Sequence, residues 1–425
     1  MIVVLTALFP AASLRATQAI DATTLPPADR LSDASVVWVV TLGRGERPHT
    51  LFGHTAVVVR DPTTDFSVAF NYGTFDFGEG FLLRFLGGEL DYHLSVAEGD
   101  APIREAMYFK RGYAVQQLAL SPTQTRLLYR ELRTEAQPAN RDYRYRFIDR
   151  NCATKVVDVI DRALGDAVIW PPPREEDGEA SADAPTYRDL LRGHLLDRPW
   201  YRLGIDLIMG QPVDEATTPK QRGFLPIHLM ELLGGTLVLR DGAAAPIVAG
   251  SDAAEFAPLP TEPRRDALWV ALSVLGLGVV GTLASWRLGD SKGIDRAMRG
   301  FDGLLLLTTG LGGVAMMGMW AWSAHDVIGP NWHLPWMLPT HAVAAAWVVQ
   351  RPRMKWLRGY LVAAAALSGG VAVFWLWLPQ SMPLAAWPLA GLVALRCAAR
   401  VAGGRRDAET PRRQEGETGI DTDDN

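Results

Sequence analysis

The chain of 425 residues has only two cysteines, Cys152 and Cys397. That scarcity excludes a disulfide scaffold and any cysteine-rich metal cluster. Charge is thin as well: 21% of the residues are charged, and 42 basic against 47 acidic side chains leave a net charge of −5. No general polyanion-binding surface follows from that balance, so nucleic acid is not an expected partner. Repeats of solenoid period are also missing. Apolar residues are abundant, at 48% of the chain, and there are 14 tryptophans. With a mean hydropathy just above zero, this composition fits a water-soluble part joined to a membrane part, in two or three domains.

The two parts separate at Arg265. Beyond it lie apolar runs at 267–286, 303–322, 334–350, 360–378 and 383–401. A bilayer crossing takes about 20 such residues. Pro335 and Pro339 shorten the third run, while Arg396 and Arg400 soften the end of the fifth. Trp269, Trp286, Trp336 and Trp377 stand near the ends, at the depth where tryptophan favours the membrane interface. Lys and Arg gather in alternate connections. Arg287, Lys292, Arg296 and Arg299 follow the first run, and Arg351, Arg353, Lys355 and Arg358 follow the third. The stretches 323–332 and 379–382 have none, and Arg405, Arg406, Arg412 and Arg413 follow the fifth. The positive-inside rule then places the C-terminus in the cytoplasm and residues 20–265 outside. At the other end, 1–19 resembles a signal peptide, apolar to Ala12 with a small-x-small site at Thr17-Gln18-Ala19. The expectation is a multi-pass protein of the bacterial cytoplasmic (inner) membrane with a periplasmic domain. Its divisions are 20–170, a linker and membrane-proximal extension at 171–265, a helical membrane domain at 266–402 and a disordered tail at 403–425.

Within the exported part, valine-rich 35–42 predicts a buried strand, and 55–60 and 66–72 predict two more around a turn at 61–65. A short helix is expected at 81–86 and a strand at 113–120. Ser121-Pro122 signals the start of a helix running to 135, and 151–164 has helical periodicity ended by Gly165. The stretch 170–184 reads as a loop, and 186–260 carries no clear pattern. The class is α+β, followed by an α-helical membrane domain of about five transmembrane helices.

Asn151-Cys152 lies where a loop becomes a helix. A thiol there meets the positive end of the helix dipole and free backbone N–H groups, both of which favour thiolate. A small buried cysteine is the alternative. His54 follows Gly53 at the mouth of a strand, and a strand edge is a rigid platform for an imidazole. Asn71 is a polar side chain in the adjacent apolar strand and could orient that imidazole, the third role in a Cys–His–polar triad. It could equally begin the turn at Gly73. Asp76 is a second candidate for the orienting role.

Three motifs, Leu51-Phe52-Gly53-His54-Thr55, Phe70-Asn71-Tyr72-Gly73-Thr74-Phe75-Asp76-Phe77 and Asp149-Arg150-Asn151-Cys152-Ala153-Thr154, resemble the periplasmic domain of the bacterial DUF4105 family. That family includes the Bacteroides-type lipoprotein N-acyltransferase, Lnb. The order His, polar residue, Cys is also similar to the circularly permuted papain-like (NlpC/P60-related) fold. The resemblance covers about 33–165. It implies a Cys152 nucleophile and a His54 base, with Asn71 as orienting residue. Tyr72, Asp76 and Asn151, in the same motifs, are then expected to bind substrate. The implied activity is thiol-dependent acyl transfer from a membrane lipid ester to a lipoprotein N-terminal amine, with no metal or organic cofactor. A periplasmic cysteine peptidase or amidase acting on peptidoglycan peptides is the alternative enzyme. A non-catalytic membrane sensor or assembly protein is the alternative outside catalysis. The loop holding His325, Asp326 and His333 falls on the catalytic side and is expected to help hold the polar end of a lipid.

Overall fold

The computed structural model describes residues 19–75, 80–172, 184–254, 256–287, 291–350 and 354–417. Residues 1–18 of the expected export segment, Asp76, and most of the 170–184 loop lie outside the described residues. The chain forms two compact units. The first takes Met1–Asp197, Pro212–Glu262 and the short segment Ser323–Val327; the second takes Arg198–Gln211, Pro263–Trp322 and Ile328–Asn425.

The first unit is α+β. In chain order its elements are β1 (Val36–Leu42), β2 (His54–Asp61), β3 (Phe66–Thr74), α1 (Phe81–Gly87), β4 (Asp91–Glu98), α2 (Ala101–Tyr108) and β5 (Tyr113–Leu118). Then come α3 (Pro122–Glu135), β6 (Asp142–Arg144), α4 (Cys152–Leu164), β7 (Val168–Ile169) and α5 (Tyr187–Gly193). After α6 (Pro199–Ile208), which packs in the second unit, come α7 (Pro219–Arg222), α8 (Pro226–Gly234), β8 (Leu237–Arg240), β9 (Ala243–Pro246) and β10 (Val248–Ala254). Seven strands make one antiparallel sheet in the order β10-β5-β1-β2-β3-β4-β6, and β7-β8-β9 make a small second one.

Both faces of the large sheet are covered, which explains the unbroken valine runs of β1 and β2. Val37, Val39, Val57, Val59, Val68 and Phe70 pack on one face with Leu128, Leu132, Val156 and Ile160 of α3 and α4. Val40, Leu42, Val58 and Ala69 take the other face with Ala106 of α2. A one-residue slip would exchange those two sets, so the register Val37↔Val59 to Leu42↔His54 is fixed by packing. The expected strands and helices of 35–164 are present within a few residues, and α3 begins with a Ser121–Gln124 capping box. The unpatterned 186–260 holds α5 to α8 and β8 to β10, and β10 adds an edge to the sheet beside β5.

The second unit has five further helices, α9 (Asp266–Arg287), α10 (Lys292–Trp322), α11 (His341–Gln350), α12 (Lys355–Phe374) and α13 (Ala386–Glu417). Three stretches, Asp266–Arg287, Lys292–Trp322 and Lys355–Trp377, are long and apolar enough to cross a membrane. The third apolar run is shorter in helix than its sequence suggested, because helix begins only at His341, beyond Pro335 and Pro339. Helix α13 runs on to Glu417, into the stretch expected to be a disordered tail.

Arg396 and Arg400 owe their place in an apolar bundle to acidic partners on α10. The Arg396 guanidinium donates to both oxygens of Asp302 at 2.7 and 3.1 Å and to the Thr282 hydroxyl at 2.6 Å. Arg400 donates to Asp302 and, at 2.7 Å, to Asp295. Removing one partner of a buried pair strands the other charge. Asp302→Ala is therefore expected to destabilise the protein by about 3 kcal/mol or more, read as a lowered melting temperature of the detergent-solubilised chain. An unchanged melting temperature would show the pair to be dispensable.

Candidate active site

His54 is placed by the residue before it. Gly53 has φ +85°, and a Cβ there would come 2.7 Å from the Leu42 carbonyl oxygen, so only glycine lets β1 and β2 close at this end. Pairing of β2 with β3 ends at Val57↔Phe70. Beyond it the β3–β4 register shifts between Asn71 and Thr74, and Gly73 has φ +90°. Such a bulge re-aims the side chains around it. The Asn71 amide oxygen accepts a hydrogen bond from His54 Nε2, which leaves Nδ1 for another partner.

Cys152, the first residue of α4, lies beside this imidazole, and each of the two groups shifts the pKa of the other. Asn151 caps the helix. Its Oδ1 accepts from the Ala153 and Thr154 N–H groups at 2.8 and 3.0 Å, and its Nδ2 donates to the carbonyls of Phe147 and Phe224 at 2.8 and 2.9 Å. Burial on its own would raise the Cys152 pKa. The His54 charge and hydrogen bond, with the N–H groups of Thr55 and Ala153, outweigh it and lower the thiol below its ordinary value. For His54 burial acts downward, but the Cys152 charge and hydrogen bond, Glu105 and Asn71 raise it. Both shifts act in the direction of a thiolate–imidazolium pair.

Glycine keeps space open beside this pair. A Cβ on Gly73 would lie 3.7 Å from Cys152 Cβ, 3.9 Å from His54 Cε1 and 4.0 Å from the Tyr143 hydroxyl. Tyr92, Tyr143 and Tyr145 all have raised pKa values, first from burial and then from the Cys152 charge, so they remain neutral phenols. Tyr92 stacks on Tyr145 with centroids 4.4 Å apart, and Phe75 lies 4.8 Å from Tyr92.

The structure thus brings His54, Asn71 and Cys152 together. Two other expected site residues do different work. Tyr72 is 1% exposed, and its hydroxyl donates to Glu135, so it supports the site from the core and offers nothing to a substrate. Asn151 is 4% exposed, and its amide is fully engaged in capping. The His325 and His333 side chains are also turned away from solvent. His325 Nε2 donates to the Phe85 carbonyl at 2.6 Å, and His333 Nδ1 accepts from the Trp336 indole at 3.1 Å. Neither is placed to hold a lipid head group, contrary to expectation. Tyr92 and Tyr143 went unnoticed in the sequence, and Gly73 was read only as a turn; for Tyr143 the alternation Asp142-Tyr143-Arg144-Tyr145 was the available signal. Among the described residues no group of three or more His, Cys, Asp or Glu is placed to hold a metal ion.

Two family models match the chain: the Lnb N-terminal periplasmic domain over residues 28–193 and the Lnb transmembrane domain over residues 267–404. The chain belongs to the Lnb family. It matched no curated protein and no solved structure. The first Lnb model spans His54, Asn71 and Cys152; the second spans the five helices up to residue 404 and takes in Ser323–Val327. A periplasmic domain followed by a transmembrane domain makes this a membrane protein.

The His54–Cys152 interaction sets the pH dependence. A thiol of lowered pKa keeps its reactivity to lower pH than an ordinary thiol and loses it as pH falls through the lowered value. With His54→Ala the midpoint of Cys152 alkylation by iodoacetamide should move up toward that of an ordinary thiol, about 8.5. A mutant profile that overlays the wild type would mean that His54 does not control the sulfur.

Proposed function

We propose that this protein is a membrane-anchored periplasmic cysteine acyltransferase that moves a fatty acyl chain from a lipid ester to a lipoprotein N-terminal amine. The observation that carries the proposal is the Cys152–His54–Asn71 arrangement inside an Lnb periplasmic domain. In the first half-reaction the Cys152 thiolate attacks the ester carbonyl and forms a tetrahedral oxyanion. Its collapse breaks the C–O bond, leaving the acyl group on sulfur as a thioester, and the His54 imidazolium gives its proton to the departing alkoxide. In the second, the amine attacks the thioester, His54 takes the amine's proton, and Cys152 leaves as thiolate. A covalent nucleophile splits one difficult transfer into two easier ones. Asn71 keeps the imidazole turned toward sulfur throughout. No metal or organic cofactor enters these steps.

A nucleophile at the start of a helix packed on an antiparallel sheet that carries the histidine supports a permuted papain-like fold. Five crossings with the C-terminus in the cytoplasm, in the inner membrane, remain the topology that the basic loops favour. Membrane lipids as donors and lipoproteins as acceptors follow from the same reading, since an anchored domain works where both are concentrated.

Full-length protein incubated with phospholipid vesicles carrying a radiolabelled acyl chain should acquire a hydroxylamine-sensitive label and release lysophospholipid. Cys152→Ala should acquire none, and His54→Ala should slow labelling by on the order of 10²–10⁴-fold. If the wild type takes up no label but cleaves peptidoglycan peptides, the peptidase alternative replaces this proposal. For the topology, reporters fused after Arg299 and Arg358 should read cytoplasmic and those near Gly329 and Gln380 periplasmic. A periplasmic signal from the C-terminal tail would overturn the five-span arrangement.

A further inference from the structure

Asp326 belongs by sequence to the segment matched by the Lnb transmembrane domain, yet it packs with the first unit. The chain finishes α10 at Trp322, and Ser323–Val327 then joins the same unit as Cys152. Three contacts seat this segment. The Ala324 N–H donates to the Gly87 carbonyl at 2.8 Å, His325 is bonded to Phe85, and Asp326 reaches the loop before α4. There its two carboxylate oxygens accept from successive backbone N–H groups, Phe147 at 3.2 Å and Ile148 at 2.9 Å.

These two N–H groups lie in the segment that ends at the helix cap. The Phe147 carbonyl is held by Asn151 Nδ2, and Asn151 Oδ1 holds the N–H groups of Ala153 and Thr154, the two residues that follow Cys152 at the start of the helix. One continuous run of hydrogen bonds therefore joins Asp326 to the first turn of the helix that carries the sulfur. The Phe147 ring, 5.2 Å from His325 and 5.6 Å from Tyr145, ties the same loop to the aromatic cluster near Cys152. Charge-assisted bonds from a carboxylate to backbone N–H are about twice as strong as neutral ones, so Asp326 is a strong clamp on this loop.

We propose that Asp326 is a positioning residue for the nucleophile, supplied by the connection between two membrane helices, which fixes the loop 147–151 and through Asn151 holds Cys152 against His54. It does not touch the lipid. This inference rests on the Cys152–His54 reading above and extends it to a residue outside the periplasmic domain match.

The test uses the full-length protein in detergent, with Cys152 and Cys397 alkylation followed separately by peptide mass spectrometry across pH. Asp326→Ala should shift the Cys152 midpoint upward by about one unit, which makes alkylation at neutral pH about tenfold slower. Acyl transfer from phospholipid vesicles should lose kcat by a similar factor with KM unchanged. Asp326→Asn keeps an oxygen acceptor, although a weaker one, and should bring alkylation back to about threefold slower than wild type. A lower melting temperature with a wild-type alkylation profile would reduce Asp326 to a structural anchor and overturn the proposal. A raised KM with unchanged kcat would instead assign it to lipid binding, and that too would overturn it. If Asp326→Ala does not fold, Asp326→Asn carries the test: about threefold slower alkylation supports the proposal, and the wild-type rate rejects it. Failure of the underlying reading looks different, because wild-type Cys152 would then titrate as an ordinary thiol and not respond to His54→Ala.

Discussion

A thiolate inside a folded domain is a stranded charge unless its surroundings supply the compensation; here that comes from His54 and the Thr55 and Ala153 N–H groups, and the start of the helix that carries the sulfur is fixed by one side chain. Asn151 uses its oxygen on two helix N–H groups and its nitrogen on two loop carbonyls. With those bonds made, α4 starts at Cys152 and at no neighbouring residue, and the sulfur faces His54. A helix cap of this kind is ordinarily worth about 1 kcal/mol. Its value here lies more in position, because a rotation of the first helical turn would separate the two charges and leave burial unopposed.

The opposite wall of the site depends on the backbone of the sheet. Val57 and Val59 on one face and Val58 on the other leave β2 little freedom to slide, so His54 projects from a fixed point. Order is then broken where the chemistry needs room. The β3–β4 register shift and the positive φ of Gly73 end regular pairing just past Asn71. A rigid sheet ending in a local irregularity presents Asn71 to the imidazole and keeps the space next to Cys152 clear.

How much of this could be read in advance follows from how local each determinant is. Gly53-His54, Asn71 and Asn151-Cys152 carry signals within a few residues: a glycine before a strand, a polar side chain within one, and a capping residue before a helix. The expectation that Asn71 meets His54 agrees with the geometry. Tyr72 and Asn151 were placed near the site but misassigned, because burial and hydrogen-bond saturation depend on Glu135, Phe147 and Phe224, which are remote in sequence. Strand β6 has three residues and little burial, so its Tyr143 left no pattern to notice. Asp326 lay in a loop already singled out. Its partners are main-chain N–H groups, which leave no trace in a sequence, and its neighbours His325 and His333 drew attention to head groups instead. The third and fifth membrane runs were harder for a related reason: Pro335 and Pro339 act through the backbone, and Arg396 and Arg400 are accommodated by Asp302 and Asp295 on another helix.

The electrostatics around Cys152 also limit which charges the site can hold. Tyr92, Tyr143 and Tyr145 remain protonated because burial disfavours phenolate and a negative charge on the Cys152 sulfur disfavours it further. The cluster thus accommodates one anion. In the proposed addition step this restriction does no harm, because the charge leaves sulfur as it appears on the carbonyl oxygen and the total beside His54 stays constant. Neutral phenols can stabilise such a migrating charge by donating hydrogen bonds, whereas phenolates would oppose it. Water entering the same space would solvate the thiolate more than the dispersed charge of the addition step. The aromatic packing of Phe75, Tyr92 and Tyr145 reduces that solvation, so the ion pair depends on His54 and the two backbone N–H groups for its stability.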